Sequence, residues 1–150
     1  MVQGIEKVRA QFASVVPKVV AAARAEMEIV ASQIVSQMRM LRPIPEIVVD
    51  WTWGRPPAGS VTLGRVARSE KSSLRITIYA NAITADYPGG FPAVARWHEF
   101  GTAPRFRKSG GATGQITASP YFFPVYRANK RRARGRISSA IRKAVASANP

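Results

Sequence analysis

His98 and Glu99 are the one adjacent imidazole and carboxylate in this chain. Proton-transfer chemistry would need both side chains to converge on a single substrate atom. Adjacent side chains diverge on a helix and on a strand alike, so the pair argues for two environments rather than a dyad. His98 is the sole histidine and there is no cysteine. Multi-histidine metal centres, Cys-ligated zinc, iron–sulfur clusters, disulfides and thiol catalysis are excluded. Only eight acids exist, and they are scattered, which disfavours a hydrolase built on paired carboxylates. Glycines at 54, 59, 64, 101, 110, 111 and 114 match no phosphate cradle, because no Lys-Ser/Thr follows the final glycine of a candidate loop. The expectation is a chain without catalysis, metal or cofactor, in which His98 is a surface or partly packed imidazole beside Trp97.

Charge is the next signal. The chain has 23 Lys and Arg against 8 Asp and Glu, a net +15 over 150 residues. The last acid is Glu99; the segment through it carries +4, and the segment from Phe100 onward carries +11. Such a field draws anionic partners, either nucleic acid or the acidic face of a protein. The densest run is Arg127, Lys130, Arg131, Arg132, Arg134 and Arg136. On a helix Arg127, Lys130, Arg131 and Arg134 cluster, while Arg132 and Arg136 lie to the side. The plain reading of such a run is a solvated helix face. No helix-turn-helix or RNA-recognition pattern accompanies it, so contact with DNA would be to the backbone and steeply salt-dependent.

The length suits one domain, residues 1–150, with a core of its own. No apolar run reaches the roughly 18 residues that span a bilayer, and no signal peptide is expected. Residues 1–42 read as helical, because Ile5, Val8, Phe12, Val15, Val19, Ala23, Met27, Val30, Ile34, Met38 and Leu41 step by three or four. Pro17 interrupts that pattern: either the helix kinks there, or Ser14 caps a new helix, and the second, a short leading segment before a long helix of 17–41, is favoured. Residues 46–81 read as antiparallel strands. Ile47, Val49, Trp51 and Trp53 alternate with polar neighbours and share an expected core face. Val61, Leu63 and Val66 suggest a second strand, and Leu74, Ile76, Ile78 and Ala80 a clearer third. Residues 93–100 fit either a short helix or a strand. Residues 103–114 read as a flexible basic loop, and Gln115 to Ala118 as a brief further strand. Residues 121–148 read as a closing helix with Val125, Tyr126, Ala133, Ile137, Ile141, Ala144 and Val145 facing inward. The expected fold is α+β: a small antiparallel sheet of about three to five strands packed with a long N-terminal helix and a C-terminal helix.

Two segments carry a resemblance. Ala95-Arg96-Trp97-His98-Glu99-Phe100-Gly101-Thr102 is followed, after a Gly-rich basic insert, by Ser119-Pro120-Tyr121-Phe122-Phe123-Pro124-Val125 running into a helix. An aromatic, Glu-Phe-Gly-Thr, then a Pro-Phe-x-Pro-like turn resembles the tail-completion or head–tail connector family of long-tailed phages and related tail-like particles. The Tyr-Phe-Phe triplet holds one aromatic more than that pattern. The resemblance implies a non-catalytic structural protein of the virion neck, made in the host cytoplasm. It implies a ring of copies, expected to be a hexamer, between a head-side connector or stopper protein and the tail terminator or tail tube protein. Genomic DNA would pass in contact. The corner 93–102 is then structural: Trp97, Glu99, Phe100, Gly101 and Thr102 meet Pro120, Phe122 and Phe123. Glu99 would hold it by accepting backbone N–H groups or by pairing with an arginine. Arg105, Phe106, Arg107 and Lys108 in the insert, with Arg127, Lys130, Arg131 and Arg134, are the expected interface. The competing reading is a small, basic, non-specific DNA-binding protein.

Overall fold

In the computed structural model, which describes residues 3–62, 74–83, 86 and 90–148, an unbroken helix α1 runs from Gln3 to Leu41. The break expected at Pro17 does not occur. Ala13, whose carbonyl loses its amide partner to the proline, and Pro17 itself are both exposed. The freed carbonyl thus lies on a stretch open to solvent, and the good helix formers on either side carry the helix through.

The described residues form two compact units, 3–30 with 129–148, and Ala31–Ala128. In the second, the strands β1 (Ile47–Trp53), β2 (Val61–Thr62) and β3 (Ile76–Ala82) form an antiparallel sheet ordered β1-β3-β2. Its register sets Ile47 opposite Ala82, Val49 opposite Ala80 and Trp51 opposite Ile78. One face thus gathers Ile47, Val49, Ile78, Ala80 and Ala82, all buried, as period-two alternation requires. Trp51 and Trp53 do not complete that core as expected; both are half-buried. The Trp51 indole instead donates to Ser32 Oγ at 3.1 Å. The last turns of α1 add Ile34, Val35 and Met38 to the core. Arg39 Nε donates to Val49 O at 2.8 Å and Arg42 to Ile47 O at 3.0 Å, so the end of α1 is tied to β1. The expected continuation of the second strand through Leu63 and Val66 lies outside the described residues.

Residues 93–100 are helical: α2 spans Pro92–Phe100, with Pro92 in its first turn, where the missing N–H costs nothing. The segment 103–114 is not the irregular loop expected. It folds as a hairpin of β4 (Arg105–Phe106) and β5 (Ala112–Gly114), with a register shift between its two pairs. Arg107 O accepts from Gly110 N at 2.9 Å and Gly110 takes a φ of 86°, a turn that glycine makes without strain. No strand forms at 115–118. The closing helix α3 spans Phe123–Ala148, two residues shorter at its start than expected. Along it Val125 is buried, Tyr126, Ala133, Ile137, Ile141 and Ala144 are half-buried, and Val145 is 46% exposed, outside the expected inner stripe. In the unit of residues 3–30 and 129–148, Ala23 and Val30 are buried and Arg136 Nε lies 2.6 Å from Glu26 Oε1. The whole is an α+β fold with long terminal helices and antiparallel sheets of three and two strands.

Met38 is fully buried while Met40, two residues on, is 80% exposed. Met38→Ala should lower the unfolding free energy by about 2–5 kcal/mol, and Met40→Ala by less than about 0.5 kcal/mol. Urea titration of the two variants checks this contrast.

Candidate functional site

Glu99 is the buried charged residue of the described core, 2% exposed, in a chain where basic residues dominate. It sits one turn after Ala95 on α2, and the two share the inward face. Its carboxylate accepts three backbone N–H bonds from the entry to α3. Oε2 accepts from Tyr121 at 2.9 Å and Phe122 at 2.9 Å, and Oε1 accepts from Phe123 at 3.0 Å. Of the two partners open to Glu99 in the sequence, arginine and backbone, the backbone is the one present.

The chemistry of that choice is specific. The first turn of a helix has N–H groups with no intrahelical acceptor, and its N-terminus carries about half a positive charge. A carboxylate brought from another helix satisfies both. Pro124, next in line, has no N–H to orphan. Tyr121 and Phe122 spend their amides on Glu99, so regular helix begins at Phe123.

Further bonds extend the join on both sides. Ser119 N donates to His98 O at 2.7 Å, Thr102 N donates to Ile116 O at 2.9 Å, and Ile116 N donates to Thr102 Oγ1 at 2.9 Å. Thr102 thus uses both its amide and its hydroxyl on one residue. Gly101 lies between these contacts with φ 75° and ψ 176° and donates to Trp97 O at 2.7 Å. That backbone region is essentially closed to other residues. A Cβ there would also stand 3.0 Å from Ala118 N and 3.1 Å from Ile116 O. Glu-Phe-Gly-Thr is therefore a clamp: the acid caps a helix, the glycine allows the turn, and the threonine closes the base of the 105–114 hairpin.

Aromatic rings fill the clamp. Tyr121 and Phe122 are fully buried and meet edge-on at 6.3 Å. Phe123 lies 5.5 Å from both Phe122 and Phe100. Phe91 meets Trp97 edge-on at 5.6 Å. Pro120 is exposed and Phe100 is 60% exposed. Tyr121 was not among the residues the sequence marked, although its phenol, buried beside Glu99, reaches Ala95 O at 3.4 Å. Burial raises its pKa well above the ordinary 10.0, and the neighbouring Glu99 carboxylate raises it further.

The other expected site residues are displayed rather than gathered. Arg105, Phe106, Arg107 and Lys108 are all exposed on the hairpin, Phe106 by 68%. The Arg105 guanidinium lies 5.1 Å from the centre of the Trp97 ring, a cation–π distance. Arg127, Lys130, Arg131 and Arg134 are exposed on α3. The His98 side chain is half-buried and makes no dyad with the inward Glu99. Among the described residues no group of three or more His, Cys, Asp or Glu is placed to hold a metal, and no helix is long and apolar enough to cross a membrane.

Comparison with protein-family models, with curated proteins and with solved structures finds no match.

Two outcomes test the clamp. Glutamine offers one acceptor oxygen where three N–H groups need two, so Glu99→Gln should cost about 2–4 kcal/mol. Hydrogen exchange should accelerate at the Tyr121, Phe122 and Phe123 amides, and urea unfolding gives the energy. The second outcome concerns pH. In the unfolded chain the Tyr121 phenol ionises near 10.0, whereas the folded chain keeps its proton. Above that pH the unfolded state binds fewer protons, so stability falls as pH rises, by about 1.4 kcal/mol per pH unit. Tyr121→Phe removes this contribution, so the parent should lose stability relative to the variant as pH climbs past 10.0. A constant gap in urea midpoints would contradict the assignment.

Proposed function

We propose that this chain is a structural component of the neck of a long-tailed phage or a related tail-like particle. Its copies assemble as a ring, a hexamer in the simplest form, that joins the head-side connector or stopper protein to the tail terminator or tail tube protein. It is made in the host cytoplasm, works in the virion and performs no catalysis.

The observation that carries this reading is the Glu99 clamp. The two segments on which the family resemblance rests, Ala95 to Thr102 and Ser119 to Val125, are bonded to each other through side chain and backbone. A motif whose parts serve one mechanical join fits a scaffold protein better than a binding cleft. Beyond the join stands a hairpin with exposed Arg105, Phe106, Arg107 and Lys108, an apolar and cationic tip of the kind interfaces use. A heterologous ring needs two unlike complementary faces on each subunit. The asymmetry between a +4 segment and a +11 segment supports that requirement.

A second reading is favoured by one feature. Arg127, Lys130, Arg131, Arg132 and Arg134 are all exposed on α3, which suits non-specific contact with the DNA backbone.

Negative-stain imaging and mass photometry of the purified chain separate the two. Rings should appear as concentration rises, and the paired charge reversal Arg105→Glu with Lys108→Glu should abolish them while the circular-dichroism spectrum stays that of the parent. A chain that remains monomeric and joins no neck component, yet binds duplex DNA with an affinity that collapses between low and moderate salt, would replace the first reading with the second.

A further inference from the structure

α2 has a second face. Ala93, Arg96, Trp97 and Phe100 recur at i, i+3, i+4 and i+7, one side of a helix, while Ala95 and Glu99 are buried on the other. With Gly101 these four residues line an open groove of about 290 Å³. Its floor is aromatic, and Phe100 leaves 60% of its surface in solvent. Leaving such a ring wet forgoes about 25 cal/mol for each Å² that a partner could cover. The volume falls at the lower end of small-molecule sites, which run from about 300 to 1,000 Å³, and the groove is open rather than enclosing. It suits one inserted side chain better than a cofactor.

The charge around it has one sign. Arg96 is part of the lining and is exposed. The Arg105 guanidinium lies against Trp97, and Arg105 begins the hairpin that bears Arg107 and Lys108. No acid lines the groove. The one carboxylate of α2, Glu99, is turned inward and occupied by three N–H groups.

We propose that this groove docks an acidic segment of a partner protein, which inserts a single apolar side chain between Trp97 and Phe100 while its carboxylates meet Arg96 and Arg105. A second copy of the chain fits poorly as this occupant. It carries +15, and the acids it holds closest together in sequence are Glu26 and Glu28, of which Glu26 is engaged by Arg136. Duplex DNA would satisfy the arginines but keeps its bases stacked within the helix, so it inserts nothing onto the aromatic floor; single strands, whose bases stack on such rings, are the rival occupant that the test must exclude. The proposal does not rest on ring assembly, and its variants at Arg96 and Phe100 lie outside the Arg105 and Lys108 pair on which ring assembly is tested.

The probe is a random short-peptide library selected on the intact chain, with binding of the selected peptides measured by fluorescence anisotropy. Selected peptides should be acidic around one apolar residue. Replacing that residue with serine should weaken binding at least about tenfold, as should Arg96→Glu or Phe100→Ser in the protein. Arg96 is exposed, so its reversal leaves the fold intact, and Arg131→Glu on α3 serves as the control that should change affinity less than about twofold. The proposal is overturned if peptide affinity survives Arg96→Glu and Phe100→Ser, if Arg131→Glu weakens it equally, or if no peptide is selected. It is also overturned if the groove variants change the self-association of the unliganded chain, which would make the groove a contact between copies. Duplex or single-stranded DNA bound with the same dependence on Arg96 and Phe100 would likewise overturn it.

Discussion

One carboxylate holds together what the rest of the unit only brings near. Glu99 reaches 22 to 24 residues along the chain to bind the amides of Tyr121, Phe122 and Phe123. Burying a charge is costly unless it is fully hydrogen-bonded, and here three donors meet two oxygens. A buried arginine partner would have added a second ion to desolvate. Backbone amides at a helix start are already fixed and already positive, so they satisfy the carboxylate without importing another charge. The consequences run outward from that point. The first regular residue of α3, the closure of the hairpin by Thr102, and the burial of Tyr121 and Phe122 all depend on α2 and the entry to α3 staying in register.

Much of this was legible in the sequence, and the failures have physical causes. The β1–β3 face was readable because Ile47, Val49, Ile78 and Ala80 alternate cleanly and a one-residue slip would expose them all. Trp51 misled because alternation assigns a face, not a depth; its indole N–H needs an acceptor and finds Ser32 beside it. Pro17 misled because one proline removes one bond from a long helix, and the good helix formers on both sides hold the helix through it. The hairpin was missed because strands of two and three residues carry no periodicity. The remaining signal was Gly110-Gly111 between Arg105-Phe106 and Ala112-Thr113, a short glycine-containing connection of the kind hairpins use.

The candidate site divides in the same way. Glu99, Gly101, Thr102 and Phe122 could be marked as a corner from two short motifs, yet the motifs could not say which atoms meet. Tyr121 escaped because nothing local distinguishes a buried phenol from an exposed one; its partner, Ala95 O, lies 26 residues away in the chain. The Ala93, Arg96, Trp97 and Phe100 stripe was obscured by Ala95 and Glu99, which make the opposite stripe of the same nine-residue helix. A buried acid on one face and an arginine among the rings of the other blur the helix's periodicity, and the burial of Ala95 and Glu99 decides which face is inside.

The two faces of α2 are not mechanically separate. Phe100 forms part of the open groove, and its ring also lies 5.5 Å from that of Phe123, whose amide donates to Glu99 Oε1. Gly101, the other end of the groove lining, makes the positive-φ turn of the clamp, where an added side chain would meet Ala118 and Ile116. A partner pressing on Phe100 therefore meets residues whose positions the buried carboxylate has already fixed. Preorganisation of this kind lowers the ordering cost of association, so the same bonds that start a helix on one side of α2 prepare a rigid docking floor on the other.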